Sequence, residues 1–151
     1  MGFEHLENAL AGRHPQTGAA ALQVDPETID PALTTPEEEL VRSLTTPATP
    51  EKLWESGFVA PVERWTCSPS AYGSRRSYNG SDFVYFHGGL DYGLCDNPSI
   101  FAPAAGVVVY TGDLIVRGKA TLIDHGWGVY SGIWHQSEIY VQVGDRVEQG
   151  Q

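Results

Sequence analysis

A mostly β fold is predicted, an antiparallel sheet or barrel-like sandwich, preceded by a segment with little regular structure. Three observations predict it. Seventeen glycines and ten prolines punctuate 151 residues, which favours short elements joined by many turns. Seven tyrosines and four tryptophans supply residues that fit a pleated, half-buried surface. From about Leu53 onward, β-branched and aromatic runs alternate with Gly and Asp, in the rhythm of successive strands.

The runs are Phe83 to Phe86, Val107 to Tyr110, Thr121 to Ile123, Val129 to Ile133 and Ile139 to Val143. Near the end, Val141 to Val147 reads as two short strands about a turn at Gly144-Asp145. Residues 1–52 lack this rhythm. They are rich in Pro, Thr, Ala and acid, and read as a linker or the end of a preceding module, loosely packed or disordered. One short helix is expected there, near 36–44, with Thr35 as cap, Pro36 in the first position, Glu38 closing a capping box, and Leu40, Val41 and Leu44 as its apolar stripe. Residues 53–151 form the domain.

With 41% hydrophobic residues the chain can bury a core. The formal net charge of -10 argues against nucleic acid, whose phosphates require clustered Lys and Arg. Glu37, Glu38 and Glu39 are read as a solvated helix face. No stretch reaches the roughly 20 apolar residues of a membrane span, and no basic-then-apolar leader opens the sequence, so an export signal is expected outside these residues. Cys67 and Cys95 are compatible with one disulfide and equally with two thiols.

The densest polar cluster is Phe86-His87-Gly88-Gly89-Leu90-Asp91-Tyr92-Gly93. On a strand, His87 and Asp91 would share a face, with Gly89 leaving space above the backbone. An imidazole and a carboxylate so placed can serve as two ligands of a zinc ion, and equally can form a simple hydrogen-bonded pair. Cys95 shares their parity, but Gly93 and Asn97-Pro98 suggest that the strand bends before it. His125, between Asp124 and Gly126, is read as making a structural hydrogen bond, and His5 and His14 lie in the polar tail. Arg75 and Arg76 could hold a substrate carboxylate or brace a loop.

Several blocks, taken together, resemble the lysostaphin/LytM-type zinc metallopeptidases, the murein hydrolases that cut peptides of peptidoglycan. They are Ala71-Tyr72-Gly73-Ser74-Arg75-Arg76 with Tyr78-Asn79-Gly80, then His87-Gly88-Gly89-Leu90-Asp91, then Ala102-Pro103-Ala104-Ala105-Gly106-Val107-Val108. Leu122 to Gly128, Trp134-His135 and Val143 to Gln151 continue the series in the family's order. The resemblance covers roughly residues 53 to 151, and Tyr72 stands where the family usually has Phe.

The resemblance implies a barrel-sandwich hybrid of the duplicated hybrid motif type. It implies His87 and Asp91 as the first two ligands of one zinc ion, and His135 as a catalytic histidine facing the metal. The family's later HxH motif, which carries its third ligand, has no counterpart here, since no histidine follows His135. The domain is therefore read as incomplete, and the chain as given is expected to bind zinc weakly and to cleave little or nothing. The implied function is zinc-dependent endopeptidase action on peptidoglycan stem peptides or cross-bridges, in the cell envelope or outside the cell. Two alternatives belong to other classes. One is a non-catalytic module that docks on the cell wall or on a partner hydrolase. The other is a carrier module of biotinyl type, against which the lack of a lysine in the final hairpin argues.

Overall fold

The computed structural model describes residues 10–13, 20–64, 67–82, 84–93 and 99–151. In chain order its strands are β1 (Leu10–Arg13), β2 (Ala20–Leu22), β3 (Cys67–Ser70), β4 (Arg75–Tyr78), β5 (Tyr85–Phe86), β6 (Asp91–Gly93), β7 (Gly106–Leu114), β8 (Gly118–Asp124), β9 (Tyr130–Gln136) and β10 (Arg146–Val147). The α-helix, α1, spans Pro31–Thr45, after a single 3-10 turn at Pro26–Ile29. The mostly β character read from the sequence holds, and every strand pair but β2–β4 is antiparallel. Contacts divide the chain into two units, Met1–Pro26 with Arg64–Pro98, and Glu27–Glu63 with Ser99–Gln151.

The first unit holds a sheet of order β1-β2-β4-β5 and the pair β3-β6. Asn79, in the left-handed region at φ 51, turns the chain between β4 and β5. Its side-chain amide donates to the Val24 carbonyl (3.1 Å) and its Oδ1 accepts from the Val24 amide (2.9 Å). The turn thus fixes the chain just beyond β2. Cys95 lies outside the described residues, as do His5, His14 and Phe83.

In the second unit the sheet order is β10-β7-β8-β9. Buried Ala102, Val108, Ile123 and Val147 form its core, with Ile133 and Val141 packed against them. β7 and β8 run beyond their apolar centres because the three-residue turn Ile115-Val116-Arg117 ends on Gly118 at φ 60, a left-handed position that suits this hairpin loop. Ile139 to Val143 is not a strand. Asp145 Oδ2 accepts from the Gln142 amide (2.9 Å), which tightens a turn, Gly144 N donates to Val108 O and Asp145 O accepts from Val108 N, and Arg146–Val147 forms the strand ladder with β7.

α1 begins earlier than the Thr35-Pro36 signal suggests. Asp30 is its cap, accepting at Oδ1 from Ala32 N (2.9 Å), and Pro31 takes the first turn, where a missing N–H costs nothing. Pro36 lies inside the helix. Glu38 and Glu39 face solvent, but Glu37 does not: its carboxylate is buried, accepts from Val116 N (2.9 Å) and pairs with Arg117. The solvated reading of the acidic run therefore fails at Glu37, which shares the helical stripe of Leu33 and Val41.

The segment after α1 is bound along the end of β8. Trp127 N donates to Thr49 O (2.7 Å), Leu53 N to His125 O (2.9 Å), and Val59 N to Pro103 O (2.9 Å). At Gly126 (φ 83) an added Cβ would lie 1.8 Å from the Glu51 carbonyl oxygen, so only glycine allows this approach.

Candidate metal and catalytic sites

His87 lies just past β5, not on a strand shared with Asp91. Its backbone is still paired: His87 N donates to Ser74 O (2.9 Å), and Gly73 N donates to His87 O (2.8 Å). Residues 87–90 then turn the chain, and Asp91 opens β6 opposite Ser70 of β3. The turn, rather than strand parity, brings the two side chains together. His87 Nε2 and Asp91 Oδ1 are 3.0 Å apart.

Each partner is oriented from behind. His87 Nδ1 lies 3.1 Å from the Ala71 carbonyl oxygen, which can only accept, so Nδ1 carries the hydrogen in that contact. In neutral imidazole this leaves a lone pair on Nε2 facing a carboxylate oxygen, and two acceptors at that separation need a proton or a cation between them. Asp91 Oδ2 accepts from Arg76 (3.0 Å), whose same nitrogen also donates to Ser70 Oγ (2.7 Å). The Arg76 guanidinium is thereby turned toward Asp91, while Arg75 on the same strand is exposed.

This donor set suits zinc. Bonds of about 2.0–2.2 Å in a tetrahedron put neighbouring donor atoms about 3.3–3.6 Å apart, so the pair at 3.0 Å would open slightly to take the ion. The N–H to carbonyl bond behind the imidazole and the cation behind the carboxylate are the outer contacts that fix such ligands. A Cβ at Gly89 would sit 3.8 Å from Nε2 and one at Gly88 would meet nothing, while the His87 side chain itself is 12% exposed. Among the described residues no group of three His, Cys, Asp or Glu side chains is placed to hold a metal ion.

His135 belongs to the second unit. The register of β8 and β9 steps from Lys119↔Gln136 to Thr121↔Ile133, so Trp134 and His135 stand opposite Ala120 alone. That is a β-bulge, and it puts His135 in the left-handed region at φ 57. Such a conformation in a residue other than glycine costs on the order of 1–3 kcal/mol and persists only where its surroundings impose it. The His135 amide donates to the Arg117 carbonyl (2.8 Å), and the Arg117 guanidinium lies 5.4 Å from the Trp134 ring centroid. The imidazole side is exposed.

His125 has a structural place. It is fully buried, with Nδ1 2.8 Å from Ala105 O and Nε2 2.8 Å from Ser131 Oγ, and Phe58 packs edge-on at 4.8 Å. Burial lowers its pKa below the usual histidine value, against the opposing effects of the Ala105 hydrogen bond and the Asp124 charge. Sequence reasoning missed Ser70, the Ala71 carbonyl and Arg117, for which no local signal existed, and Glu37, for which the helical stripe with Leu33 and Val41 was a signal.

One unit thus carries a histidine–aspartate donor pair and the other a strained histidine on a bulge. Residues 85–151 match the model of peptidase family M23. The chain also resembles the crystal structure of a protein from Pseudomonas aeruginosa described as a candidate M23 peptidase. The TM-score is 0.62 with 27% identity, over 80% of this chain and 47% of that one, so the chain spans about half the length of its structural relative. No curated protein sequence matches the chain.

Proposed function

We propose that the chain carries the first two ligands and a proton-handling histidine of a zinc-dependent endopeptidase acting on peptidoglycan peptides. The observation that carries this reading is the 3.0 Å approach of His87 Nε2 to Asp91 Oδ1, with Ala71 and Arg76 orienting the two groups. The match of residues 85–151 to peptidase family M23 supports the peptidase class. The cell-wall substrate, and an envelope or extracellular location, rest on the likeness to the lysostaphin/LytM type. No helix among the described residues is long and apolar enough to cross a membrane.

When bound, zinc would supply Lewis acidity, polarising the scissile carbonyl and making water a competent nucleophile near neutral pH. His87 and Asp91 would hold the ion and Arg76 would keep the Asp91 carboxylate oriented, while the likeness to the lysostaphin/LytM type assigns His135 the handling of a proton or of developing negative charge. Arg75, exposed beside Arg76, is the candidate to meet a substrate carboxylate. Among the described residues these two are the donors brought together, which leaves half of a tetrahedral zinc shell to other groups.

The test is release of peptides from purified cell-wall sacculi, with and without zinc. It uses this chain, and the same chain with a further segment carrying an HxH motif. Cleavage by the longer form that His87→Ala and His135→Ala each abolish is the expected result. Binding to sacculi that survives in His87→Ala, with no cleavage by either form, would instead favour a wall-docking module.

A further inference from the structure

We infer that Glu37 and Arg117 form a positioning pair that holds His135 in its left-handed backbone conformation, so that helix α1 sets the aim of that histidine. The functional meaning rests on the reading of His135 as proton-handling. The geometry does not.

The connection is continuous in one unit. Glu37, at 3% side-chain exposure, accepts with Oε2 from the Val116 amide (2.9 Å) and pairs through Oε1 with Arg117 Nη1 (2.5 Å). One carboxylate thus grips both the backbone and the side chain of the β7–β8 turn. Arg117 passes the constraint on in two ways, its carbonyl accepting the His135 amide and its guanidinium lying over Trp134, the other residue of the bulge. A left-handed histidine on a bulge needs surroundings that over-determine it. Here they come from a helix some 80 positions away, since |i−j| for Glu37 and Arg117 is 80.

A buried ion pair is a poor device for stability alone, because an apolar pair of similar volume is often as good. What the pair does supply is direction: a carboxylate accepting from two donors fixes the turn at one angle, which an apolar contact would not.

The double variant Glu37→Leu/Arg117→Met separates the two roles. It removes both charges together, leaves no charge unpaired, and keeps the Arg117 carbonyl. Amide hydrogen exchange and the His135 amide–Hα coupling are measured by NMR on the 151-residue chain, without zinc or substrate. Exchange at His135 is expected to rise about tenfold and its coupling to move away from the left-handed value, while Val108, Leu122 and Ile123 stay within about twofold of the parent. Glu37→Gln, which still accepts from Val116, should give an intermediate change. His135 as protected as in the parent would overturn the inference. So would exchange rising equally across the sheet, or loss of the fold, since each would make the pair merely structural. None of these outcomes bears on whether His87 and Asp91 bind zinc, so the two readings fail separately.

Discussion

The turn that carries His87 and the sheet that carries His135 hold a histidine by opposite means. At His87 the polar contacts act on the ring and on its partner: a carbonyl behind Nδ1, a carboxylate before Nε2, a guanidinium behind the carboxylate. At His135 they act on the backbone, through a bulge, a left-handed φ and the Arg117 carbonyl. A metal ligand needs its donor atom fixed in direction. A group that moves a proton needs its whole side chain placed. The first region should thus respond to substitution mainly in metal affinity, and the second in conformation and stability.

The largest expected effect lies in the second region. Gly126→Ala forces a Cβ against the Glu51 carbonyl at a left-handed position, and should destabilise the second unit by about 3 kcal/mol or more, read from denaturant unfolding. Zinc affinity, corrected for the folded fraction, should be unchanged. Arg76→Ala tests the first region. It should weaken zinc binding by about 10–100-fold in a calorimetric titration, with the unfolding midpoint of the second unit unaltered. Removing a cation beside a cation site works in the other direction, but Asp91 is 50% exposed and solvent screens that repulsion, so lost orientation should dominate.

His125 sharpens the contrast through pH. Its folded pKa lies below the unfolded value of about 6.5, so between the two the unfolded chain binds more protons and stability falls as pH falls. Stability is full above about 6.5 and declines below it, with a slope that cannot exceed about 1.4 kcal/mol per pH unit for one proton. Thermal melts from pH 7.5 to 5 should show this decline, and His125→Gln should remove its own share. The smallest effect is at the cap of α1. Asp30→Ala should cost about 1 kcal/mol and leave zinc binding untouched.

Much of the fold could be read from the sequence because alternation and turn residues are local signals. Gly144-Asp145 marks a real turn, and Val107 to Tyr110 and Thr121 to Ile123 lie inside β7 and β8. Ile139 to Val143 misled because an apolar run carries no record of whether a neighbour offers a free edge. The His87–Asp91 pairing was expected, but for the wrong local reason, since the chain turns between them. Arg117 and Ser70 were hidden because their partners lie far along the chain or in another strand. Glu37 was masked by the two exposed glutamates that follow it.

The central claim is that His87 and Asp91 are zinc donors, and nitrogen-15 NMR of the histidine rings during zinc titration tests it most directly. The account predicts that His87 Nε2 alone shows the shift of a metal-bound nitrogen while Nδ1 keeps its hydrogen against Ala71, and that Asp91→Ala abolishes the change. Zinc bound through His87 Nδ1, or at other histidines with His87 unperturbed, would contradict it.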